Sequence, residues 1–230
     1  CAVNLHWGRK NIEKELGDLT GLKVKAGNDA NVAALGEMWK GGGQGARNLI
    51  MVTLGTGVGG GIIINEKIVT GAHGAGGEIG HAPVNPKEEV PCNCGNKGCL
   101  EQYASATGIA RLARKAMESS QKPSVLRNLP NVSAKSVFDA YKEGDQMAIE
   151  VVEEFSEYLG RALAAFTCVT DPDVIVLGGG VSRAGQPLID CVEKYYRNYA
   201  FTACKDIPIR LATLGNDAGV CGAAKLILSQ

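Results

Sequence analysis

Four residues that can bind a metal ion lie close together in GHAPVNPKEEVPCNCGNKGCLE: His81, Cys92, Cys94 and Cys99. Three thiolates and one imidazole form a closed tetrahedral set of the kind that holds zinc. Gly95 and Gly98 let the chain curl around an ion, and Asn96 and Lys97 mark a turn. Three of the eight cysteines fall within eight positions here, which separates them from incidental buried thiols. With every coordination position filled by protein, the ion is expected to be structural and not a Lewis acid for a substrate. Cys1, Cys168, Cys191, Cys204 and Cys221 are scattered through apolar segments and read as buried thiols.

A polar set surrounds this loop. Asn28 and Asp29 stand in GNDANVAALGE, Glu78 and His81 in AGGEIGH, and Glu101 two residues beyond the last cysteine. The zinc loop would hold His81 and bring Glu101 near it. Carboxylates, an amide and an imidazole in one cleft suit a polyhydroxylated ligand, because each can hydrogen-bond a hydroxyl. Singly they are ordinary: Asp29 could be a helix cap, and Glu78 and Glu101 solvated loop acids. GNDA recurs at Gly215, and both copies are expected to cap a helix, with Asp217 as cap and hinge. His6 and His73 belong to no such constellation.

Two glycine stretches could face a ligand. In TLGTGVGGG, glycines let backbone N–H groups turn toward an anion, and Thr56 adds a hydroxyl; a hairpin turn would need the same glycines. No Lys follows, so it is not a Walker A loop. In LGGGVS, Leu177–Ser182, a strand ending in glycines could admit a nucleotide base or ribose, or could simply be a tight strand–helix turn.

The elements that position these residues alternate between strand and helix. Leu22 to Ala26 reads as a short strand before an N-capped helix. Leu49 to Leu54 is a strongly apolar strand, GTGVGGG a turn, and IIIN the start of a second strand that NEK turns back. Gly71 to Cys99 has no regular period, a length of loop that is usually functional. Helices are expected from Ala106 to Ser119, after Ser133, and from Asp145 to before Pro172. DVIVLGGG is a strand, Pro187 starts a helix, IPIRLATL is a strand, and the second GNDA leads into the last helix.

The composition bounds the function. The chain has 230 residues, 45% hydrophobic and 21% charged, with 24 basic against 24 acidic side chains. There is no net field to attract nucleic acid or an anionic membrane. No apolar run is long enough to span a bilayer and no signal-peptide pattern opens the chain, so a cytoplasmic location is expected. The chain opens at Cys1 in mid-pattern, AVNL reading as a strand under way, which points to a truncated chain.

The zinc stretch C-x-C-G-x-x-G-C-x-E after E-I-G-H, with TLGTGVGGG and NDANVAALGE, resembles the ROK family of bacterial sugar kinases and sugar-responsive repressors. CNCGNKGCLEQYASATGIARLARK is most similar to its ATP-dependent glucokinases of Gram-positive bacteria. The resemblance implies an α/β, actin-like or hexokinase-type ATPase fold with a ribonuclease H-like motif. Residues 1–28 would be a remnant of a small lobe, 29–215 a large lobe with its zinc loop at 81–99, and 216–230 a helix returning to the small lobe. It implies ATP with Mg²⁺ as donor, glucose as the expected hexose, and a homodimer or higher homo-oligomer. N-acetylglucosamine, N-acetylmannosamine and fructose kinases, and repressors, share the motifs. Asp29 would be the catalytic base toward the sugar 6-hydroxyl, and Asn28, Glu78, His81 and Glu101 would hold hydroxyls. Gly55, Thr56, Gly57, Gly59 and Gly60 match the family's second phosphate loop, and Gly178, Gly179 and Gly180 its adenosine loop. The family's Asp-x-Gly-Gly-Thr, the first phosphate loop, does not occur in these residues, so little kinase activity is expected from them alone.

Overall fold

The computed structural model describes residues 8 and 10–228. Cys1, His6 and the AVNL strand lie outside them. The centre is a five-stranded sheet in the order β3-β2-β1-β4-β5. Its strands are β1 (Leu49–Leu54), β2 (Val58–Ile64), β3 (Lys67–Ile68), β4 (Val174–Gly178) and β5 (Ile209–Leu211). β1 pairs antiparallel with β2 but parallel with β4, and β4 runs parallel to β5. Both faces of β1 and β4 are covered, which is why LIMVTL and VIVLG are apolar without alternation. Asn65 and Glu66 both take positive φ in the β2–β3 turn, as a tight primed hairpin requires.

The two sheet faces carry separate cores. Ile50, Val52, Leu54, Ile175 and Leu177 pack under α4 (Ala106–Ser119), α5 (Ala134–Lys142), α6 (Gln146–Thr170) and α7 (Gln186–Tyr199). These helices start where their capping residues predict. Ser105, Ser133 and Asp145 each accept an early helix N–H, and Pro187 sits in the first turn of α7. On the other face Leu49, Met51, Ile63, Val174 and Val176 meet Ala34, Leu35 and Met38 of α2 (Asp29–Lys40). The last helix, α8 (Asp217–Leu228), packs on α2.

Several details differ from the expectations above. Leu22–Ala26 is not a strand, because no described strand lies beside it to pair with. The helix α1 (Ile12–Thr20) precedes it, capped by Asn11, and the Ala26 N–H donates to Glu13 Oε1 (2.9 Å). The turn after β1 is only Gly55–Gly57; Gly59, Gly60 and Gly61 belong to β2. They are small because neighbours approach both faces of the strand. A Cβ on Gly61 would lie 2.5 Å from Ala34 Cβ, and one on Gly60 2.4 Å from the Gly77 carbonyl oxygen. Of the scattered cysteines, Cys191 and Cys204 are buried as expected, Cys221 is half-buried and Cys168 is exposed.

α2 and α8 cross backbone to backbone. A Cβ on Gly222 would stand 1.7 Å from the Val32 carbonyl oxygen, and one on Gly36 2.1 Å from that of Ala218. Gly219, one turn earlier in α8, has open space. Gly222→Ala should therefore destabilise the protein by about 1–3 kcal/mol through forced separation of the helices. Gly219→Ala should be neutral or stabilising by up to about 1 kcal/mol. Chemical denaturation of the two variants checks the pair; equal effects would contradict the close crossing.

Candidate active site

The parallel strands β1, β4 and β5 all deliver their carboxyl ends to one cleft of about 890 Å³. This is where open α/β sheets place ligands. The cleft is lined by Asp29, Glu78, His81 and Glu101. Gly55, Gly57 and Gly59 also line it, as do Gly179 and Gly180. Residues far apart in sequence thus meet as a polar set beside two glycine turns.

Asp29 is the first residue of α2 and is exposed to the cleft. Its Oδ1 accepts the Ala30 N–H (2.9 Å). Asn28 is the cap of that helix, its Oδ1 accepting from the N–H groups of Ala30 (3.0 Å) and Asn31 (3.2 Å). The structure does not bring Asn28 into the cleft; it lines a separate cavity of about 540 Å³ with Lys67 and Lys225. Thr56, Gly60 and Gly178 are likewise absent from the cleft lining: Thr56 is exposed, Gly60 lies within β2 and Gly178 ends β4.

The second GNDA is built differently. α8 is closed by backbone bonds, Asp217 N–H to the Leu214 carbonyl (3.0 Å) and Ala218 N–H to that of Gly215 (3.4 Å), after Gly215 at φ +56°. Gly215 and Asn216 line the cleft, while Asp217 is the exposed first residue of the helix.

His81, Cys92, Cys94 and Cys99 converge, their ligand atoms all within 4.8 Å of one another. Cys92 Sγ is 3.8 Å from His81 Nδ1, and Cys94 Sγ 3.6 Å from Cys99 Sγ. Thiolates about 2.3 Å from a tetrahedral ion stand about 3.8 Å apart, so the set fits a metal of that geometry. Burial pushes the Cys99 thiol up to about 12 and raises Cys92. A backbone N–H at Asn96 lowers Cys94.

Glu101 joins this cluster to the glycine turn. Its Oε1 lies 3.7 Å from Cys92 Sγ, and its Oε2 accepts the Val58 N–H (3.0 Å). A Cβ on Gly57 would lie 2.2 Å from that Oε2, so any larger residue there would displace the Glu101 carboxylate. The start of α4 grips the turn's carbonyls: Ala106 N–H donates to Gly55 and Thr107 Oγ1 to Thr56, both at 2.8 Å.

Two further groups carry no signal in the sequence. Glu37 is fully buried, yet its carboxylate accepts backbone N–H bonds from Gly42 (2.8 Å), Thr213 (3.0 Å) and Leu214 (2.9 Å). The triple glycine after α2 makes room for it: a Cβ on Gly41 would meet Glu37 Oε2 at 1.9 Å. Glu88 anchors the metal loop. It accepts from Tyr103 Oη (2.6 Å) and Arg111 Nη1 (2.8 Å), while Tyr103 stacks on Tyr158. A sequence shows neither, because both partnerships span loops of no fixed period.

A family model described as the ROK family matches residues 2–230. The chain is 45% identical over 233 residues to a glucokinase of Halalkalibacterium halodurans, covering all of this chain and 71% of that protein. It matches the crystal structure of a ROK family glucokinase from Streptomyces griseus in complex with glucose and AMPPNP. That match has a TM-score of 0.82 and 35% identity, over 98% of this chain and 75% of that one. It is also 29% identical over 232 residues to a xylose repressor of Caldicellulosiruptor bescii, covering all of this chain and 58% of that protein.

Glu88 gives the metal loop a pH dependence. Burial pushes its carboxyl up, but hydrogen bonds from Tyr103, Arg111 and the Val90 N–H outweigh this and hold it at about 2, below its ordinary 4.5. A carboxyl depressed on folding stabilises the fold above its unfolded value and ceases to do so as pH falls through the folded one. Glu88→Gln should cost on the order of 1–3 kcal/mol at pH 7. The gap to the parent should close between pH 4.5 and about 2. Urea melts of both proteins across that range decide it, and a gap indifferent to pH would count against this account.

Proposed function

The chain belongs to the ROK family, and from that premise we propose that its function is ATP-dependent phosphorylation of glucose at the 6-hydroxyl. The observation that carries the reading is the meeting of Asp29, Glu78, His81 and Glu101 in one cleft with two glycine turns. The higher identity to a glucokinase than to a repressor supports a kinase. The Streptomyces griseus relative, bound to glucose and an ATP analogue, supports both ligands.

Phosphoryl transfer asks the protein mainly for positioning, charge compensation and one carboxylate to orient and deprotonate the attacking hydroxyl. Asp29 is that carboxylate. The Ala30 N–H occupies Oδ1 and leaves Oδ2 for the proton. Asn28 sets this geometry through the helix cap. Glu78, Glu101 and His81 hold the remaining sugar hydroxyls. The Gly57 N–H, which lines the cleft, receives phosphate, and Gly179–Gly180 the nucleoside, with Mg²⁺ accompanying ATP.

Three thiolates and an imidazole suit zinc, which His81, through the Nδ1 that faces Cys92, and the Sγ atoms of Cys92, Cys94 and Cys99 would hold as a structural cross-link of the loop. With Nδ1 so engaged, His81 would keep its proton on Nε2 for a sugar hydroxyl.

In the protein completed with the first phosphate loop, Asp29→Asn should lower glucose 6-phosphate formation by about 10²–10⁴-fold, the range for losing a general base. Glucose affinity by calorimetry should change little, because the substitution keeps the size and the cap. Near-normal turnover would remove Asp29 from this role.

A further inference from the structure

The cleft is short of positive charge for a polyanionic ligand. Its lining carries the carboxylates of Asp29, Glu37, Glu78 and Glu101, and a single arginine, Arg183, with no lysine. The Glu37 carboxylate is occupied by its three backbone N–H bonds, but the other acids border the ligand space. Few backbone donors remain as well. In the turn after β1, the Gly55 N–H is bonded to the Gly57 carbonyl (3.0 Å) and the Val58 N–H to Glu101 (3.0 Å). Thr56 and Gly57 alone keep free N–H groups among those four.

Arg183 lies beside that turn. It belongs to the short 3₁₀ segment Gly180–Ala184 that follows β4. Gly179, just before it, abuts the strand leading into the turn: a Cβ there would stand 2.5 Å from the Leu54 carbonyl oxygen. Ser182 is already engaged, its hydroxyl donating to the Gly179 carbonyl (2.7 Å). The Arg183 guanidinium has no ion pair or hydrogen bond among the described residues. It is exposed, so its orientation into the cleft does not serve core packing.

We propose that Arg183 binds the polyphosphate of the nucleotide, supplying the charge that the glycine turn cannot. A guanidinium is a fixed cation whose planar fork pairs with phosphate oxygens, and in a cleft bordered by carboxylates it offsets their repulsion of the incoming anion. This inference rests on the ATP-dependent reading above and assigns a residue that the glycine motifs do not contain. Because the side chain is exposed and unpartnered, its removal leaves the fold intact.

The test is calorimetric titration of MgATP and, separately, of uncharged adenosine into the chain, its Arg183→Ala variant and its Arg183→Lys variant. Arg183→Ala should weaken MgATP by about tenfold or more, the effect of one charge-assisted hydrogen bond. Arg183→Lys should recover most of that loss, and the difference should shrink at high salt. Adenosine should bind all three alike, and melting temperatures should coincide. Equal MgATP affinity in all three would overturn the inference and leave the kinase reading standing. A parallel loss of adenosine binding would also overturn it, because the contact would then be to base or ribose. A parent chain that binds neither ligand would instead overturn the nucleotide half of the kinase reading, and this inference with it.

Discussion

The Glu101 carboxylate is the joint on which the cleft depends. One oxygen fixes the Val58 N–H at the start of β2, and the other faces Cys92 in the metal cluster. Through it, a loop without regular structure is registered against the carboxyl end of the sheet. The loop itself is held by a few cross-links. Val84 N–H donates to the Gly98 carbonyl (2.8 Å), Leu100 N–H to that of Ala82 (2.9 Å), and Glu88 reaches Arg111 on α4. None of these bonds buries much apolar surface. A metal bound by His81, Cys92, Cys94 and Cys99 would add a cross-link to the few core contacts the loop makes through Ile79, Val84 and Leu100.

The opposite wall is positioned by the absence of side chains. Glycines in β2 let α2 lie close on the sheet, and Gly36 and Gly222 let α8 lie directly on α2. This places the amino end of α2, with Asp29, at the cleft. Glu37 then ties the far end of α2 to Thr213 and Leu214, which lead into the second GNDA. One helix thus carries the proposed base at its start and, near its end, the tether of the segment that leads into α8. The two GNDA copies are not equivalent parts: one is an asparagine-capped helix start facing the acids, the other a backbone-closed turn behind a left-handed glycine.

Much of this architecture is legible in the amino-acid sequence. The metal set is, because its ligands crowd into one short stretch, and so are the helices, because caps and apolar period agree at Ser105, Ser133 and Asp145. The features that are not legible depend on partners remote in the chain. Leu22–Ala26 alternates like a strand, yet strand formation needs a neighbour. Gly59 to Gly61 resemble turn residues because a strand glycine and a turn glycine are identical in sequence; only the approach of Ala34 and Gly77 distinguishes them. Asn28 caps α2 through its oxygen, a local partnership that the sequence does show. Glu37 and Arg183 belong to no motif for opposite reasons, one because its three donors are backbone N–H groups, the other because it has no partner among the described residues.

The central claim is that the metal-held loop builds the sugar end of the cleft. Its most direct test is glucose titration of the protein with zinc bound and again after chelation, with circular dichroism recorded in parallel. The account predicts that removing zinc weakens glucose binding by about tenfold or more, because His81 and Glu101 lose their placement, while the helical signal is largely kept. Unchanged glucose affinity in the metal-free protein would contradict it.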